Sequence, residues 1–191
     1  MCASHLGEKT HVETAKSMIS KLGYTMDHYE CGSHYPADRE SRYYEIQKGN
    51  EAIPYHNNCS GKHAGMLSLC KYLNVDPKGY IEKDHVVQQT IIKQVKEYLQ
   101  LGDIPFSTDG CSAPTPFLTL ESIARLFQKL GSGEYEELTR AYNAMSNHPY
   151  MIAGKNNFDS LFTEALGARG LTKGAGEAVP GISLKVSETE N

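Results

Sequence analysis

The chain of 191 residues is long enough to form one domain with a sizeable core. Hydrophobic residues make up 39% and charged residues 22% of it, a balance that is typical of a soluble globular protein and excludes a disordered one. The net charge is −4 and no basic run is present, which argues against nucleic acid as a partner.

Targeting and cysteine patterns point to the cytoplasm. No apolar run reaches the length of a membrane span, and the first residues lack the charged-then-apolar pattern of a signal peptide. The five cysteines are odd in number and irregularly spaced. A disulfide framework is therefore the weaker interpretation and a reducing compartment the stronger one, so we expect a cytoplasmic protein that does not contact a membrane.

The first predicted elements are a strand and a helix. Met1–Ser4 is apolar and strand-like, and because domains usually begin in polar sequence, it suggests a chain that continues from an upstream segment. Ser4 on its own would be read as an ordinary loop or capping serine. Thr10 and Glu13 have the spacing of a capping box, which predicts a helix over residues 10–22.

Two later segments carry patterns that resemble catalytic or metal motifs. Cys31 and His34 have a C-x-x-H spacing that could serve zinc, but without a second pair a structural turn is favoured. Ser68 and Lys71 match the S-x-x-K nucleophile pattern. They lie two turns inside a helix predicted over residues 60–73, so we interpret them as packing residues.

The remaining pattern is mostly helical. Residues 38–50 form a solvated loop or short helix, and Asp84 caps a helix that runs to about residue 100. The other predicted segments are a turn region at 109–116, helices over 119–130, 134–147 and 157–166, a linker at 131–133, and strands at 171–173 and 182–186 joined as the chain's single hairpin signal. This order predicts an α+β class, with a helical subdomain inserted between strands of one partial sheet.

Three groups of residues could carry chemistry. Cys59 and Cys111 with His63 or Lys62 could hold a metal, and spacing alone favours His63 because a lysine must first lose its proton. Two ordinary buried cysteines are the simpler alternative. Cys59 could instead be a nucleophile with a histidine base. A pair of Ser4 with a late lysine has almost no support from spacing.

Six segments in a fixed order form a recognisable series over the whole chain. They are Cys2-Ala3-Ser4-His5-Leu6-Gly7-Glu8 with His11, Cys31-Gly32-Ser33-His34, Asn57–Met66, Asp109-Gly110-Cys111, Ala144-Met145 with His148-Pro149, and Ala153-Gly154. Together they resemble the L-asparaginase II family, the rhizobial-type asparaginases. The resemblance implies a fold like the serine β-lactamases and glutaminases, spanning residues 1–191 as a single domain. It also implies hydrolysis of L-asparagine to L-aspartate and ammonia, and a homodimer.

The resemblance also implies roles for individual residues. It assigns zinc to Cys59, Lys62 and Cys111, so that Lys62 replaces His63 as the nitrogen ligand. It pairs Ser4 with Lys173 as nucleophile and base. It leaves Asp109 and His63 as contacts to the substrate.

The chain also departs from the family's pattern. The resemblance implies an upstream Ser-x-x-Lys segment, the family's principal nucleophile pair, which is missing before Cys2, and we expect the region after Leu184-Lys185-Val186 to be cut short. The late lysine motif is altered around Lys173, with Glu177 at the right offset, which makes Lys185 an alternative base. We therefore expect a fragment of an asparaginase, or a non-catalytic zinc-stabilised domain or subunit of a split enzyme.

Overall fold

The computed structural model describes residues 1–175 and 179–185, which form helices and two small antiparallel sheets. The helices are α1 (Lys9–Leu22), α2 (Arg39–Gln47), α3 (Ser60–Leu73), α4 (Val86–Leu99), α5 (Leu120–Ser132), α6 (Glu136–Asn147), α7 (Tyr150–Ala153) and α8 (Phe158–Leu166). The strands are β1 (Phe106–Thr108), β2 (Pro114–Pro116), β3 (Gly170–Gly174) and β4 (Pro180–Leu184). This mixture agrees with the predicted α+β class, but the four strands form two separate sheets instead of the predicted single partial sheet.

The main core lies between α1 and α3, which pack on each other. Ala15 and Ile19 face the core from α1, and Ala64 and Leu67 face it from α3, all with at most 1% of their surface exposed. Helix α3 has the bounds that its sequence predicted, residues 60–73. The tight core fixes the first turn of α3, which carries the residues of the candidate site.

Two predicted helix caps were wrong. The capping box of Thr10 and Glu13 is absent, because α1 already begins at residue 9 with Glu8 as its N-cap, and no side chain caps it. The Glu8 carboxylate instead accepts the backbone N–H of Lys155 at 3.2 Å. At α4 the capping side chain is His85 rather than Asp84, and its Nδ1 accepts the N–H of Val87 at 3.2 Å.

The predicted N-terminal strand is also absent. Residues 1–4 pair with no strand among the described residues and instead run beside α7. The N–H of Cys2 donates to Met151 O at 3.3 Å, and the N–H of Leu6 donates to Ala153 O at 2.7 Å. Ser4 between them has a φ of +58°, in the left-handed region, which breaks the regular pleat of a strand.

The turn region predicted at 109–116 contains a hairpin that the sequence did not reveal. Strands β1 and β2 pair antiparallel, with Phe106 opposite Pro116 and Thr108 opposite Pro114. Prolines lack the N–H that a ladder uses, so short proline-bounded strands carry little sequence signal. The 174–181 connection is therefore not the only hairpin in the described ranges.

The second sheet confirms the C-terminal hairpin prediction. Strands β3 and β4 pair antiparallel with Leu171 opposite Ser183, although residue 186 of the predicted strand lies outside the described residues. Helix α8 packs on β3, and α5 packs on β4. A β-carbon at Gly131 would lie 2.6 Å from Ser183 Oγ, so this close approach needs glycine. Gly131 and Ser132 belong to α5, so the connection to α6 lies at residues 133–135 instead of the predicted 131–133.

The described helices were tested for the length and hydropathy of a membrane span. Within residues 1–175 and 179–185, none of them combines the length and the apolar character that crossing a bilayer requires.

Candidate metal centre and active site

The turn before α3 fixes the position of Cys59. Its backbone N–H donates to Asn57 Oδ1 at 2.8 Å, and Asn57 Nδ2 donates to Cys31 O at 2.8 Å. Cys59 is the N-cap residue of α3 and is 6% exposed. Lys62 and His63 follow Cys59 at i+3 and i+4, so the first turn of α3 carries all three on one side.

The β1–β2 hairpin presents the second cysteine. The N–H of Asp109 donates to Ala113 O at 2.8 Å, and the N–H of Ser112 donates to Asp109 O at 2.9 Å. Ser112 takes a φ of +70°, which closes this tight turn around Cys111. Cys111 is 3% exposed, so the hairpin holds its thiol inside the protein.

The fold brings these two segments together. The sulfur atoms of Cys59 and Cys111 and a carboxylate oxygen of Asp109 all lie within 4.8 Å of one another. Lys62 Nζ lies 2.5 Å from Asp109 Oδ2, and Cys111 Sγ lies 3.5 Å from the same oxygen. The four residues that the sequence singled out around the cysteine motifs thus form one partly buried cluster.

The pKa values of the two thiols in the cluster are shifted in opposite directions. A hydrogen bond from Cys59 lowers the pKa of Cys111 to about 4, and the side chains of His63 and Lys62 act in the same direction. The same hydrogen bond, together with burial, raises the pKa of Cys59. One sulfur is therefore a thiolate near neutral pH while the other keeps its proton.

The charged pair beside the thiols is held ionised. Burial by itself lowers the pKa of Lys62, but hydrogen bonds to Asp109 and Cys111 outweigh it and the net pKa is raised. Burial by itself raises the pKa of Asp109, but the Lys62 ammonium and the Gly110 N–H outweigh it and the net pKa is lowered. Lys62 is accordingly an ammonium and Asp109 a carboxylate in this arrangement.

The donor set fits zinc. Two thiols and one carboxylate oxygen are ligands that zinc accepts, and three protein ligands leave a fourth position open. Lys62 is adjacent to this group and becomes a ligand only after it loses its proton. His63 lies outside the group, because its Nδ1 is bound to the Tyr80 hydroxyl at 2.6 Å. Its predicted contact with substrate stays a prediction, and its complete burial argues for a role inside the protein.

The charge of Lys173 acts on two residues that lie near Ser4 in the sequence. Burial raises the pKa of the Cys2 thiol, and the ammonium of Lys173 acts against this shift. Burial lowers the pKa of His5 to about 3, and Lys173 adds to that shift. The pairing of Ser4 with Lys173 stays a prediction. Lys185 is exposed at the end of β4, and Glu177 lies outside the described residues.

An acidic residue that the sequence did not reveal holds Lys173. Its Nζ lies 3.1 Å from Asp159 Oδ2 and donates to Gly174 O at 2.6 Å. The N–H of Gly174 donates to the same Asp159 oxygen at 2.7 Å, and Asp159 is 5% exposed. The one sequence signal for Asp159 is its place just after Asn157, the N-cap of α8, which gives no hint of its partner.

Other histidine and serine groups prove to be structural. His5 Nε2 lies 3.0 Å from Ser60 Oγ, like a catalytic dyad, but its Nδ1 accepts the N–H of Gly7 at 3.0 Å. Nε2 of the neutral ring therefore carries the hydrogen and cannot take a proton from Ser60. Ser68 donates to Ala64 O at 2.8 Å inside α3, in line with its interpretation as a packing residue.

The C-x-x-H pair is a structural turn. Cys31 Sγ lies 3.4 Å from Gly32 O, while His34 Nε2 accepts the N–H of Asn58 at 3.1 Å. Burial and the nearby Cys111 raise the pKa of Cys31 to about 12, so this thiol stays protonated.

Comparison with known proteins places these residues in a family context. A family model described as L-asparaginase II matches residues 1–190, nearly the whole chain. No curated protein matches the sequence.

Proposed function

Because the chain belongs to the L-asparaginase II family, we propose that it hydrolyses the side-chain amide of L-asparagine, giving L-aspartate and ammonia. The family match supports an amidohydrolase that acts on asparagine. The proposed architecture is that of the serine β-lactamases and glutaminases, with which the mixture of helices and small antiparallel sheets is compatible. The proposal further includes a cytoplasmic homodimer that binds neither nucleic acid nor membrane.

The proposed nucleophile is Ser4 and the proposed base is Lys173. Lys173 as the free amine accepts the hydroxyl proton of Ser4, whose oxygen attacks the side-chain carbonyl carbon of asparagine. The C–N bond then breaks, Lys173 returns the proton to the departing nitrogen, and ammonia leaves an aspartyl ester on Ser4. A water molecule hydrolyses that ester, with Lys173 again as the base. The left-handed backbone of Ser4 supports this assignment, because such conformations cluster at active sites.

The proposed metal centre stands beside this pair. Cys59, Cys111 and Lys62 would hold zinc, and Asp109, released from Lys62, would contact the charged amino group of the substrate. Zinc, when bound, supplies a fixed positive charge that positions the substrate and shapes the pocket. The assembly of these residues from α3 and the β1–β2 hairpin, together with the family match, is the observation that carries the proposal.

The decisive experiment measures ammonia release from L-asparagine by the purified chain, with L-glutamine as a competing substrate. We expect Ser4→Ala to abolish release, while Ser68→Ala, which removes the serine of the S-x-x-K pattern, leaves it intact. Cys59→Ser should lose zinc in elemental analysis, whereas Cys70→Ser, a buried cysteine of the same helix, should keep it. Ammonia release by Ser4→Ala at the wild-type rate would exclude the proposed nucleophile.

A non-catalytic zinc domain is the second candidate. Two ion pairs favour it, Lys62 with Asp109 and Lys173 with Asp159. Each of the two amines that the first proposal uses in its free form is bound to a carboxylate in these pairs. It predicts stoichiometric zinc, loss of zinc in Cys59→Ser, and no ammonia from asparagine or glutamine. The same two assays therefore separate the candidates.

A further inference from the structure

One oxygen of the Asp159 carboxylate serves two partners at the end of β3. Asp159 Oδ2 accepts a hydrogen bond from Lys173 Nζ at 3.1 Å and another from the backbone N–H of Gly174 at 2.7 Å. The Asp159 side chain is 7% exposed and that of Lys173 17%, so the pair is shielded from solvent. A β-carbon at Gly174 would lie 3.2 Å from the same oxygen, which is tighter than ordinary packing. Glycine therefore lets the strand approach the carboxylate this closely.

Helix α8 does not need this carboxylate to cap its N-terminus. Asn157 is the N-cap residue, and its Oδ1 accepts the backbone N–H of Asp159 at 3.0 Å. The Asp159 side chain lies in the first turn, where the helix dipole favours a negative charge, and its hydrogen-bond partners belong to β3. A buried carboxylate is costly unless it is paired, so the use of this charge lies in its contact with Lys173.

Two acceptors together fix the direction of the Lys173 amine. Besides its contact with Asp159, Nζ donates to Gly174 O at 2.6 Å, and it makes no third hydrogen bond to the part of the chain that the structure describes. A neutral amine has two hydrogens and one lone pair, whereas an ammonium has three hydrogens. When both hydrogens of the amine are donated to these two oxygens, the lone pair takes the remaining direction at Nζ. An amine held in this way is oriented to accept a proton.

We infer that Asp159 is a positioning residue for the amide hydrolysis, which orients Lys173 and balances the positive charge that forms when Lys173 takes the Ser4 proton. The inference rests on the proposed function, in which this proton moves from Ser4 Oγ to Lys173 Nζ and then to the departing nitrogen. A carboxylate 3.1 Å away stabilises the ammonium formed between these two transfers more than it stabilises the neutral amine. The ion pair that favours the non-catalytic candidate thus becomes one stage of the reaction.

The charge and the hydrogen bonds of Asp159 can be separated by substitution. Asp159→Asn places an amide oxygen where Oδ2 lies, so both hydrogen bonds can form, but the charge is lost. We expect kcat for ammonia release from L-asparagine to fall by about 10²–10³-fold, as for loss of one electrostatic contact to a transition state. KM should stay unchanged, because the base is affected and substrate binding is not. Asp159→Glu keeps the charge but displaces it, and should give a kcat between those of the wild type and Asp159→Asn.

A double-variant cycle distinguishes a positioning residue from a merely structural one. In the Lys173→Arg background, Asp159→Asn should cause no further loss of kcat, since Asp159 acts through Lys173. A structural defect would instead reduce kcat by the same factor in both backgrounds. Glu164→Gln is the matched control, because it removes the same charge from an exposed position of α8 and should keep the wild-type kcat.

Urea denaturation tests the pair itself without turnover. Lys173→Met and Asp159→Asn each break the ion pair, so the double variant should lose less stability than the sum of the two single losses. Additive losses of stability would overturn the inference.

The kinetic outcomes that would overturn it are a wild-type kcat in Asp159→Asn, a lower kcat in Asp159→Glu than in Asp159→Asn, an equal factor in both backgrounds, or an equal loss in Glu164→Gln. Each of these leaves asparagine hydrolysis by the wild type standing. A wild-type chain that releases no ammonia would overturn the proposed function and the positioning role together.

Discussion

Gly61 on α3 faces the carbonyl oxygen of Cys2, and a β-carbon at Gly61 would lie 2.5 Å from that oxygen. This approach is closer than packed atoms tolerate, so the N-terminal segment that carries Ser4 can lie against α3 only because residue 61 is glycine. At Gly65, one turn later on the same helix, no atom of the described residues beyond the adjoining helix backbone lies within 4 Å of the β-carbon position. The two glycines therefore form a matched pair in the same helix.

Replacing each of the two glycines by alanine tests this contact. Gly61→Ala should lower the free energy of unfolding by about 1–3 kcal/mol, as overpacking does. It should also reduce ammonia release by about 100-fold, because displacing a reacting group by one ångström has that effect. Gly65→Ala should raise the free energy of unfolding by about 0.5–1 kcal/mol. Urea denaturation measures both, and equal stability of the two variants would contradict the packing argument.

Zinc binding should release protons, and their number identifies the third ligand. Cys111 is a thiolate near pH 7, with a pKa lowered to about 4 chiefly by the hydrogen bond from Cys59, whereas the pKa values of Cys59 and Lys62 are raised. Zinc held by all three residues must displace one proton from Cys59 and one from Lys62. We therefore expect two protons per zinc, and an affinity that falls as the pH falls.

Calorimetry in buffers of different ionisation enthalpy counts these protons. Lys62→Met should release one proton per zinc instead of two. The alternative is that Asp109 is the third ligand, since its carboxylate already lies in the cluster and carries no proton to release. Equal proton release by the wild type and Lys62→Met would establish that alternative.

The sequence predicted those parts of the site that depend on local order along the chain. Helix α3 has the predicted bounds because its apolar residues and the motif before it determine both of its ends. The Cys59 and Asp109–Cys111 motifs could be recognised because their small residues and spacing are specific. The turn that presents Cys111 was found, but the two strands flanking it were not, because strands of three residues are too short for a periodic signal and β2 begins and ends in proline.

Contacts between distant segments could not be predicted. Nothing in the neighbourhood of Asp159 indicates that it binds Lys173, since the pair depends on how α8 packs against β3. The sequence likewise does not distinguish Tyr80 from the other members of its 12 tyrosines, because its contact with His63 depends on the position of α3. The N-terminal segment was predicted as a strand from its composition, but the left-handed backbone at Ser4 is set by contacts with α3 and α7.

Lys173 can be tested without disturbing its ion pair. Lys173→Arg keeps a cation beside Asp159, but a guanidinium cannot accept a proton at any working pH. We expect ammonia release to fall by about 10²–10⁴-fold, as for loss of a general base. The free energy of unfolding should change by less than about 1 kcal/mol.

Lys173→Met gives the contrasting result. It leaves the buried Asp159 carboxylate without its cation, which should cost roughly 3–5 kcal/mol of stability. Activity in Lys173→Arg close to that of the wild type would exclude Lys173 as the base and direct attention to Lys185.

Acid stability should depend on His5. Burial, assisted by the charge of His11, lowers the pKa of His5 from 6.5 to about 3. Between these two values the unfolded chain binds a proton that the folded protein does not, so stability is lost as the pH falls through this range. The contribution of His5 to the slope of unfolding free energy is about 1.4 kcal/mol per pH unit. Buried His11 and His56, whose pKa values are also lowered, add to the wild-type slope in the same direction.

The difference between the wild type and His5→Gln isolates His5 from the other histidines. Chemical denaturation between about pH 4 and 6 should give a shallower slope for His5→Gln than for the wild type, by up to the contribution of one proton. The slope is independent of any constant loss of stability that follows from removing the Ser60 and Gly7 contacts of His5. Identical slopes for the two proteins would show that His5 gains its proton as readily in the folded protein as in the unfolded chain.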